Sequence, residues 1–424
     1  MNKTVYALVD ANSFYCSCER VFRPDLANKP VIVLSNNDGC AVSRTDEAKH
    51  LGIEIGAVYF QVKDLIKKHD IQVFSSNYTL YGNMSARVMQ ILSTFAPEME
   101  IYSIDEAFLS LSGMEKRDLA SYAIEIKNTV LQYTGIPTCV GLGPTKVLSK
   151  VANRLAKKDK IKTQSVFNLC DEDFKIKTLK TFPVEDIWGI GKQSAKKLYA
   201  HQIKTAYELM IARPEIIKKL LSIVGLKIAN ELNGQNCFNL ETDLKDRKQI
   251  ISSRSFGKQV THIDQLKEAI ANHVTNAAEK LRSQKLLCKN VTVFIQTNPF
   301  KTHSEQYFNS ASINLMSGTS VTPKLIHHAF NLLESIYKDK YEYKKAGVIF
   351  NDLIKKDFIQ TDFFENYDTQ EQDHYMATLD KINQKFGKST VRFAACGVDQ
   401  HWKMLSQMKS PHFTTRWNDL LKIK

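Results

Sequence analysis

No Cys-x-x-Cys pair occurs anywhere in this 424-residue sequence, whose eight cysteines, at positions 16, 18, 40, 139, 170, 237, 288 and 396, are scattered. That spacing offers no zinc site, and free buried thiols fit best. Cys16 and Cys18 stand close together, but thiolates are soft ligands, so neither a metal nor a redox role is expected of them. No apolar run approaches the roughly 18–20 residues needed to span a bilayer, and the N-terminus lacks a signal-peptide pattern. A cytoplasmic location and no membrane partner are therefore expected. Long low-complexity and coiled-coil segments are missing too. What is present is 43% hydrophobic residues, material for three or four globular domains, and a formal net charge of +13. That charge suggests a polyanionic partner, nucleic acid first, and says nothing of chemistry.

Two acidic sites stand out, each where a strand hands over to a turn. Asp10 closes the apolar run Val5 to Val9, and Asp105-Glu106 interrupts the run Ile101 to Leu109. Carboxylates at the ends of buried strands are costly unless neutralised, so gathering three of them calls for cations. Hard oxygen ligands select Mg²⁺ or Mn²⁺, and two such ions roughly 3.5–4 Å apart are the usual clamp for nucleotidyl transfer. Taken alone, an Asp-Glu pair reads as a solvated hairpin turn. The rest of the chain argues otherwise.

Between the acidic sites lies a small lobe: a helix from Phe14 to Phe22, strands Pro30 to Leu34 and Cys40 to Arg44, and a short helix capped by Thr45 and stopped by Gly52. Leu80, Met84, Val88, Ile91, Leu92 and Phe95 share one face of a helix over Tyr78 to Phe95. Strand Pro137 to Gly143 then runs into a helix bearing Lys146, Lys150, Arg154, Lys157 and Lys158. This order predicts an α+β palm interrupted by a lobe. From about residue 168 the chain turns helical and lysine-rich. There Trp188-Gly189-Ile190-Gly191-Lys192 opens a helix with exposed N–H groups, either a helix-hairpin-helix seat for a DNA phosphate or an ordinary tight turn. A turn at Gly225 reads as a degenerate copy. Residues 250–352 give β-α-β-β-α-β, a split-βαβ module, and residues 353–424 read as a polar and aromatic tail without a clear core.

Together, the runs Asp10 to Tyr15, Tyr102 to Ala107, Val140 to Ala152 and Trp188 to Gly191 resemble the Y-family translesion DNA polymerases in order and spacing. Phe22 to Leu26, Leu34 to Cys40, Ser75 to Tyr78, Ser253 to Gly257 and Ser410 to Trp417 are similar to the UmuC type, and the resemblance runs nearly end to end. It implies a right-hand-like α+β polymerase. The palm would take 1–11 and 80–167, small fingers 12–79, a helical thumb with the helix-hairpin-helix 168–240, a little finger 241–352, and a C-terminal tail 353–424. The activity implied is error-prone, template-directed transfer of a nucleotide from dNTP to a primer 3'-hydroxyl in the SOS response to DNA damage.

Residue by residue, the resemblance implies that Asp10, Asp105 and Glu106 are catalytic and, with the Ala11 carbonyl, hold two Mg²⁺ ions, with Mn²⁺ as the alternative. Tyr15 matches the steric gate that would collide with a ribose 2'-OH, against a plain core tyrosine. Phe14, Ser43, Lys49 and Lys146 match nucleotide contacts. Lys146 opens a helix, where its charge opposes the dipole and suggests an anion to offset it, the γ-phosphate or else only solvent. Gly189, Gly191, Lys192 and Arg254 match contacts to DNA. Gln360-Thr361-Asp362-Phe363-Phe364 looks like a sliding-clamp peptide, with Gln360, Phe363 and Phe364 as anchors. Besides primer-template DNA and dNTP, the resemblance implies a cleaved UmuD dimer, a RecA nucleoprotein filament and the clamp as partners. Two other readings compete. A nucleotidyl cyclase uses such carboxylates without a template but has no use for duplex-binding lobes, and a silent DNA-binding scaffold would not need Asp10, Asp105 and Glu106 beside Tyr15 and Lys146.

Overall fold

The computed structural model describes residues 4–114, 117–242, 247–301, 303–358, 368–398, 400 and 402–421. Gln360, Phe363 and Phe364 lie outside them. The chain forms two compact units: Met1–Ser35 with Gly39–Leu244 and Met408–Lys424, and Asn36–Asp38 with Lys245–Gln407. Among the described residues no helix is long and apolar enough to cross a membrane.

The first unit contains strands β1 (Tyr6–Ala11), β2 (Val31–Leu34), β3 (Ala41–Arg44), β4 (Gln72–Ser75), β5 (Met99–Ile101), β6 (Glu106–Ser110), β7 (Thr138–Gly143) and β8 (Val166–Asn168). Its helices are α1 (Phe14–Val21), α2 (Asp46–His50), α3 (Lys63–Lys68), α4 (Tyr78–Leu92), α5 (Leu119–Thr134), α6 (Lys146–Lys158), α7 (Glu172–Thr181), α8 (Lys192–Ala200), α9 (Ala206–Ile211) and α10 (Pro214–Leu232). Five strands make one sheet in the order β5-β6-β1-β7-β8, and three make a second in the order β3-β2-β4.

Strand alternation splits the central strand between two faces. Val5, Ala7, Val9 and Ala11 join a core with Leu80, Met84 and Val88 of α4 and Ile126 and Val130 of α5. The other face, with Tyr6, Leu8 and Asp10, is left to α6. That helix sits very close to β7, because a Cβ at Gly141 would come within 2.2 Å of the Asn153 backbone nitrogen. Helices α7 to α10 share a separate core with the apolar side of α6, built on Leu179, Leu198, Leu209 and Ile228 among others. In α10 the helix breaks at Ser222, whose φ is +67°, and not at the expected Gly225 turn; Gly225 instead leaves room for the Leu221 side chain just before that break.

The second unit follows the expected β-α-β-β-α-β order: β9 (Ile250–Val260), α11 (Ile263–Ser283), β10 (Leu286–Thr297), β11 (Phe308–Thr319), α12 (Thr322–Ile336) and β12 (Tyr343–Lys355), then α13 (Gln370–Phe386). Its strands are antiparallel in the order β11-β10-β12-β9. They run longer than their apolar patterns, because the β10–β12 pairing continues out to Leu286 opposite Lys355.

Residues 353–424 are the main departure from expectation. Their sequence pattern shows no clear core, yet Cys396 and Trp402 are buried in the core of the second unit and Phe413 in that of the first. Helix α13 carries Met376 and Leu379 on its buried side, whereas Cys396, Trp402 and Phe413 lie outside the long helices and strands, so no periodicity marks those three.

Candidate active site

Antiparallel pairing of β1 with β6 sets Asp10 directly opposite Glu106, and the Ala11 N–H donates to the Asp105 carbonyl at 2.9 Å. Cross-strand partners project to the same face, here the face beneath α6. Asp10 is buried, 4% exposed. Burial first, and then the adjoining Glu106 carboxyl, push its pKa up to about 7 against the opposing pull of Lys157. Glu106 is held below the ordinary glutamate value: burial raises it, and the Asp10 carboxyl, Lys150 and Lys157 together outweigh that effect.

The third carboxylate, Asp105, is held within its own turn. Ser103 Oγ donates to Asp105 Oδ1 at 2.6 Å and accepts the N–H groups of Asp105 and Glu106 at 3.2 and 3.0 Å. Among the described residues no three His, Cys, Asp or Glu side chains stand together as a ready metal cage. The donor set nevertheless suits a hard divalent cation: two adjoining carboxyls, one of them buried with its pKa raised, and both leaning on lysines for neutralisation.

Those lysines form a ladder. Positions 146, 150 and 157 fall within about 40° of one another around a helix at 100° per residue. Lys146 pairs with Glu100 of β5, Lys150 with Glu106 of β6 at 2.9 Å, and Lys157 with Asp10 of β1 at 2.5 Å. One stripe of α6 thus neutralises an acid on each of three neighbouring strands. Lys150 also stands 4.2 Å from the Tyr102 ring centre and 5.2 Å from that of Trp188. The Trp188 indole N–H donates to the Tyr102 hydroxyl at 3.1 Å, which ties the start of the glycine hairpin to the carboxylate strands.

Lys146, expected at a nucleotide, has partners within the protein. Its side chain is 4% exposed and is engaged by Glu100 and by the Asn239 carbonyl at 2.9 Å. The anion that offsets a cation at this helix start is the protein's own: besides Glu100, the buried Glu231 carboxylate accepts the Val147 N–H at 3.0 Å. Lys157, three turns along, is the ladder member with an accessible side chain, 37% exposed. The helical stripe 146-150-157 was the sequence signal for it.

The chain matches the impB/mucB/samB family over residues 9–154, the C-terminal domain of that family over 247–363, and a domain of unknown function over 373–423. It is 42% identical over 422 residues to protein UmuC of Salmonella typhimurium strain LT2, covering 99% of this chain and 100% of the relative. The chain belongs to the UmuC-type Y-family DNA polymerases. Protein SamB of Salmonella typhimurium is 39% identical over 98% of this chain and 99% of its own, and DNA polymerase IV of Oceanobacillus iheyensis is 25% identical over 90% of each. The fold agrees: a Dbh–Dpo4 Y-family polymerase chimera superposes with a TM-score of 0.65 at 20% identity, over 83% of this chain and 99% of that one. As a Y-family enzyme this is a DNA-directed DNA polymerase of translesion synthesis and SOS mutagenesis.

Within the polymerase, Tyr15 is half-buried near the start of α1, stacked on Tyr81 with ring centres 4.5 Å apart and planes 16° apart. The Phe14 side chain is in the core, which leaves only its backbone for a nucleotide. Helix α1 begins at Ser13 (φ +45°) with no side-chain cap and no acid in its first turn. Ser43 is buried with its hydroxyl 3.5 Å from the Cys16 nitrogen, and Lys49 is exposed on α2. Asp46 pairs with Lys160 at 2.5 Å. Burial pushes the Cys16 thiol up to about 12 and raises Cys18 as well, which makes both inert.

In the glycine hairpin, Gly189 has φ +88°, and a Cβ there would meet Ile228 Cδ1 at 2.7 Å; Gly191 precedes α8, whose first residue is Lys192. Arg254 lies on the β9 face shared with Ile250, Ser252 and Phe256. It lines a cavity of about 520 Å³ with Lys280, Lys388, Arg392 and Lys403, beside the buried His273 and Trp402. Among the described residues no carboxylate lines that cavity.

Proposed function

We propose that this polymerase transfers a nucleotidyl group by two-metal-ion catalysis, with Asp10, Asp105, Glu106 and the Ala11 carbonyl as the ligands. The observation that carries the reading is the cross-strand Asp10–Glu106 pair, buried at Asp10 and half-buried at Glu106, with Lys157 and Lys150 as its ion-pair partners. Bound there, two Mg²⁺ ions, or Mn²⁺ in their place, would supply Lewis acidity to the primer 3'-hydroxyl and to the leaving pyrophosphate. Asp10 and Glu106 are held facing one another by the β1–β6 register, so they arrive preorganised. Lys150 and Lys157 offset the carboxylate charge until substrate is present. Lys157, with the more exposed ammonium, then turns to the triphosphate, while the uncapped N–H groups at the start of α1, with Ser43 and Lys49, bind its phosphates. Tyr15 lies under the sugar and excludes a 2'-hydroxyl.

We assign palm, fingers, thumb and little finger to the residue ranges expected from the sequence. Gly189, Gly191 and Lys192 present N–H groups and charge to a backbone phosphate, and Arg254 with its cationic neighbours does the same in the second unit. Such contacts read no bases, so duplex binding is independent of sequence and weakened by salt. Partners follow from the UmuC type: a cleaved UmuD dimer, a RecA filament, and a sliding clamp bound through Gln360, Phe363 and Phe364.

The test is primer extension on undamaged and abasic templates with Mg²⁺, for wild type and Asp105→Ala, with and without cleaved UmuD and RecA filament. Lesion bypass that vanishes in the variant while duplex binding persists supports the reading. Bypass that survives Asp105→Ala removes Asp105 from the ligand set, and bypass that also survives Asp10→Ala overturns the reading.

A further inference from the structure

The C-terminal segment around Ser410 is linked through Glu19 and Tyr81 to Tyr15, the tyrosine proposed to face the sugar. Met408 pairs with the end of β4: its N–H donates to Ser75 Oγ at 2.9 Å, and its carbonyl accepts the Ser75 N–H at 3.0 Å. Asn77, which caps α4, donates its side-chain amide to the Ser410 carbonyl, the Ser410 hydroxyl and the Pro411 carbonyl at 3.0, 3.0 and 3.1 Å. Phe413 stacks on Phe22 of the neighbouring loop, 4.7 Å between ring centres.

At the centre of this anchorage is Glu19, on α1 one turn beyond Tyr15 and fully buried. One oxygen, Oε1, accepts the Tyr81 hydroxyl at 2.6 Å and the Ser410 hydroxyl at 3.0 Å, and the other oxygen has no partner among the described residues. A buried carboxyl satisfied by two hydroxyls on one oxygen is an expensive arrangement. Burial accordingly raises its pKa. What the arrangement fixes is Tyr81, whose ring is fully buried and is the surface against which Tyr15 stacks. Tyr15 is half-buried, with Tyr78 at its edge, ring centres 6.0 Å apart, and the tilted Phe14 ring 5.9 Å away. Tyr81 is the ring stacked face to face behind it, and so a main brake on its displacement.

We infer that Ser410, through Glu19 and Tyr81, is a positioning residue for Tyr15, so that the C-terminal segment sets how firmly the polymerase rejects ribonucleotides. This rests on the proposed sugar-facing role of Tyr15. It also gives part of the domain of unknown function a task in substrate choice. A ring that can yield by a fraction of an ångström accommodates a 2'-hydroxyl without hindering a deoxyribose, so the effect falls on selectivity and spares turnover of dNTP.

The experiment measures kcat/KM for dTTP and UTP with the full chain, reconstituted with cleaved UmuD and RecA filament, for wild type, Tyr15→Ala, Tyr81→Phe, Ser410→Ala and Ser410→Thr, with thermal unfolding of each. Tyr15→Ala should lose most of the discrimination. Ser410→Ala should lose about three- to tenfold of it, with dTTP incorporation within about twofold of wild type, and Ser410→Thr should restore it. Where Ser410→Ala melts early, Tyr81→Phe gives the same reading, since it keeps the ring and removes the hydroxyl. Wild-type discrimination in a folded Ser410→Ala, or equal losses for dTTP and UTP, overturns the inference while leaving Tyr15 in its role. Unchanged discrimination in Tyr15→Ala overturns the sugar-facing role itself, and the inference with it.

Discussion

Replacing Lys146 by methionine separates a structural lysine from a substrate-binding one. Methionine keeps most of the side-chain length and volume and removes the charge, so the perturbation is the loss of one partner from a buried ion pair. The pair is dry: the Lys146 and Glu100 side chains are 4% and 9% exposed. Breaking such a pair from one side costs about 3–5 kcal/mol, because the surviving charge is left without compensation. Glu100 keeps the Glu241 N–H at 2.7 Å, which places the expected cost near the low end, about 3 kcal/mol. For a unit of this size that corresponds to a melting temperature lower by about 6–12 °C. The double variant Lys146→Met/Glu100→Gln removes both charges, keeps an acceptor for the Glu241 N–H, and should regain at least half of the loss. Differential scanning fluorimetry reads the stability, and a dNTP titration in primer extension reads the substrate side, where KM should stay within about twofold. A Lys146→Met protein that melts with wild type and shows a tenfold higher KM for dNTP would refute the reasoning and return Lys146 to the triphosphate.

Lys157→Met should do the reverse, raising the KM for dNTP by about tenfold or more while moving the melting temperature by no more than about 3 °C, since its side chain is partly exposed. The buried His273 has its pKa lowered to about 4, chiefly by burial and then by the charge of Arg254. The folded unit therefore refuses a proton that the unfolded chain accepts below its ordinary value of 6.5, and stability is complete above that pH. It should fall by about 3 kcal/mol as pH drops from 6.5 to 4, and urea titrations of His273→Asn across that window should show a flatter profile. Lys192→Ala should weaken duplex binding alike for unrelated sequences and reduce the slope of log K against log salt by about one, measured by fluorescence anisotropy.

The two carboxylate strands, the Gly-x-Gly hairpin and the β-α-β-β-α-β order were legible in the sequence because each is a local pattern: apolar runs ending in acids, glycines bracketing a turn, and alternation between periods of two and 3.6. Those patterns determined the α+β class and the polymerase resemblance, and they singled out Asp10, Asp105 and Glu106. Which lysine answers which acid was not local. Lys146, Lys150 and Lys157 are equivalent cations on one stripe, and only the sheet order β5-β6-β1 assigns them Glu100, Glu106 and Asp10. The tertiary structure likewise decided the fate of the C-terminal segment. Ser410 and Glu19 are 391 positions apart, and no periodicity links them. A hydrogen bond between them depends on the path the chain takes home, and a pattern of neighbours along the sequence carries no record of that path.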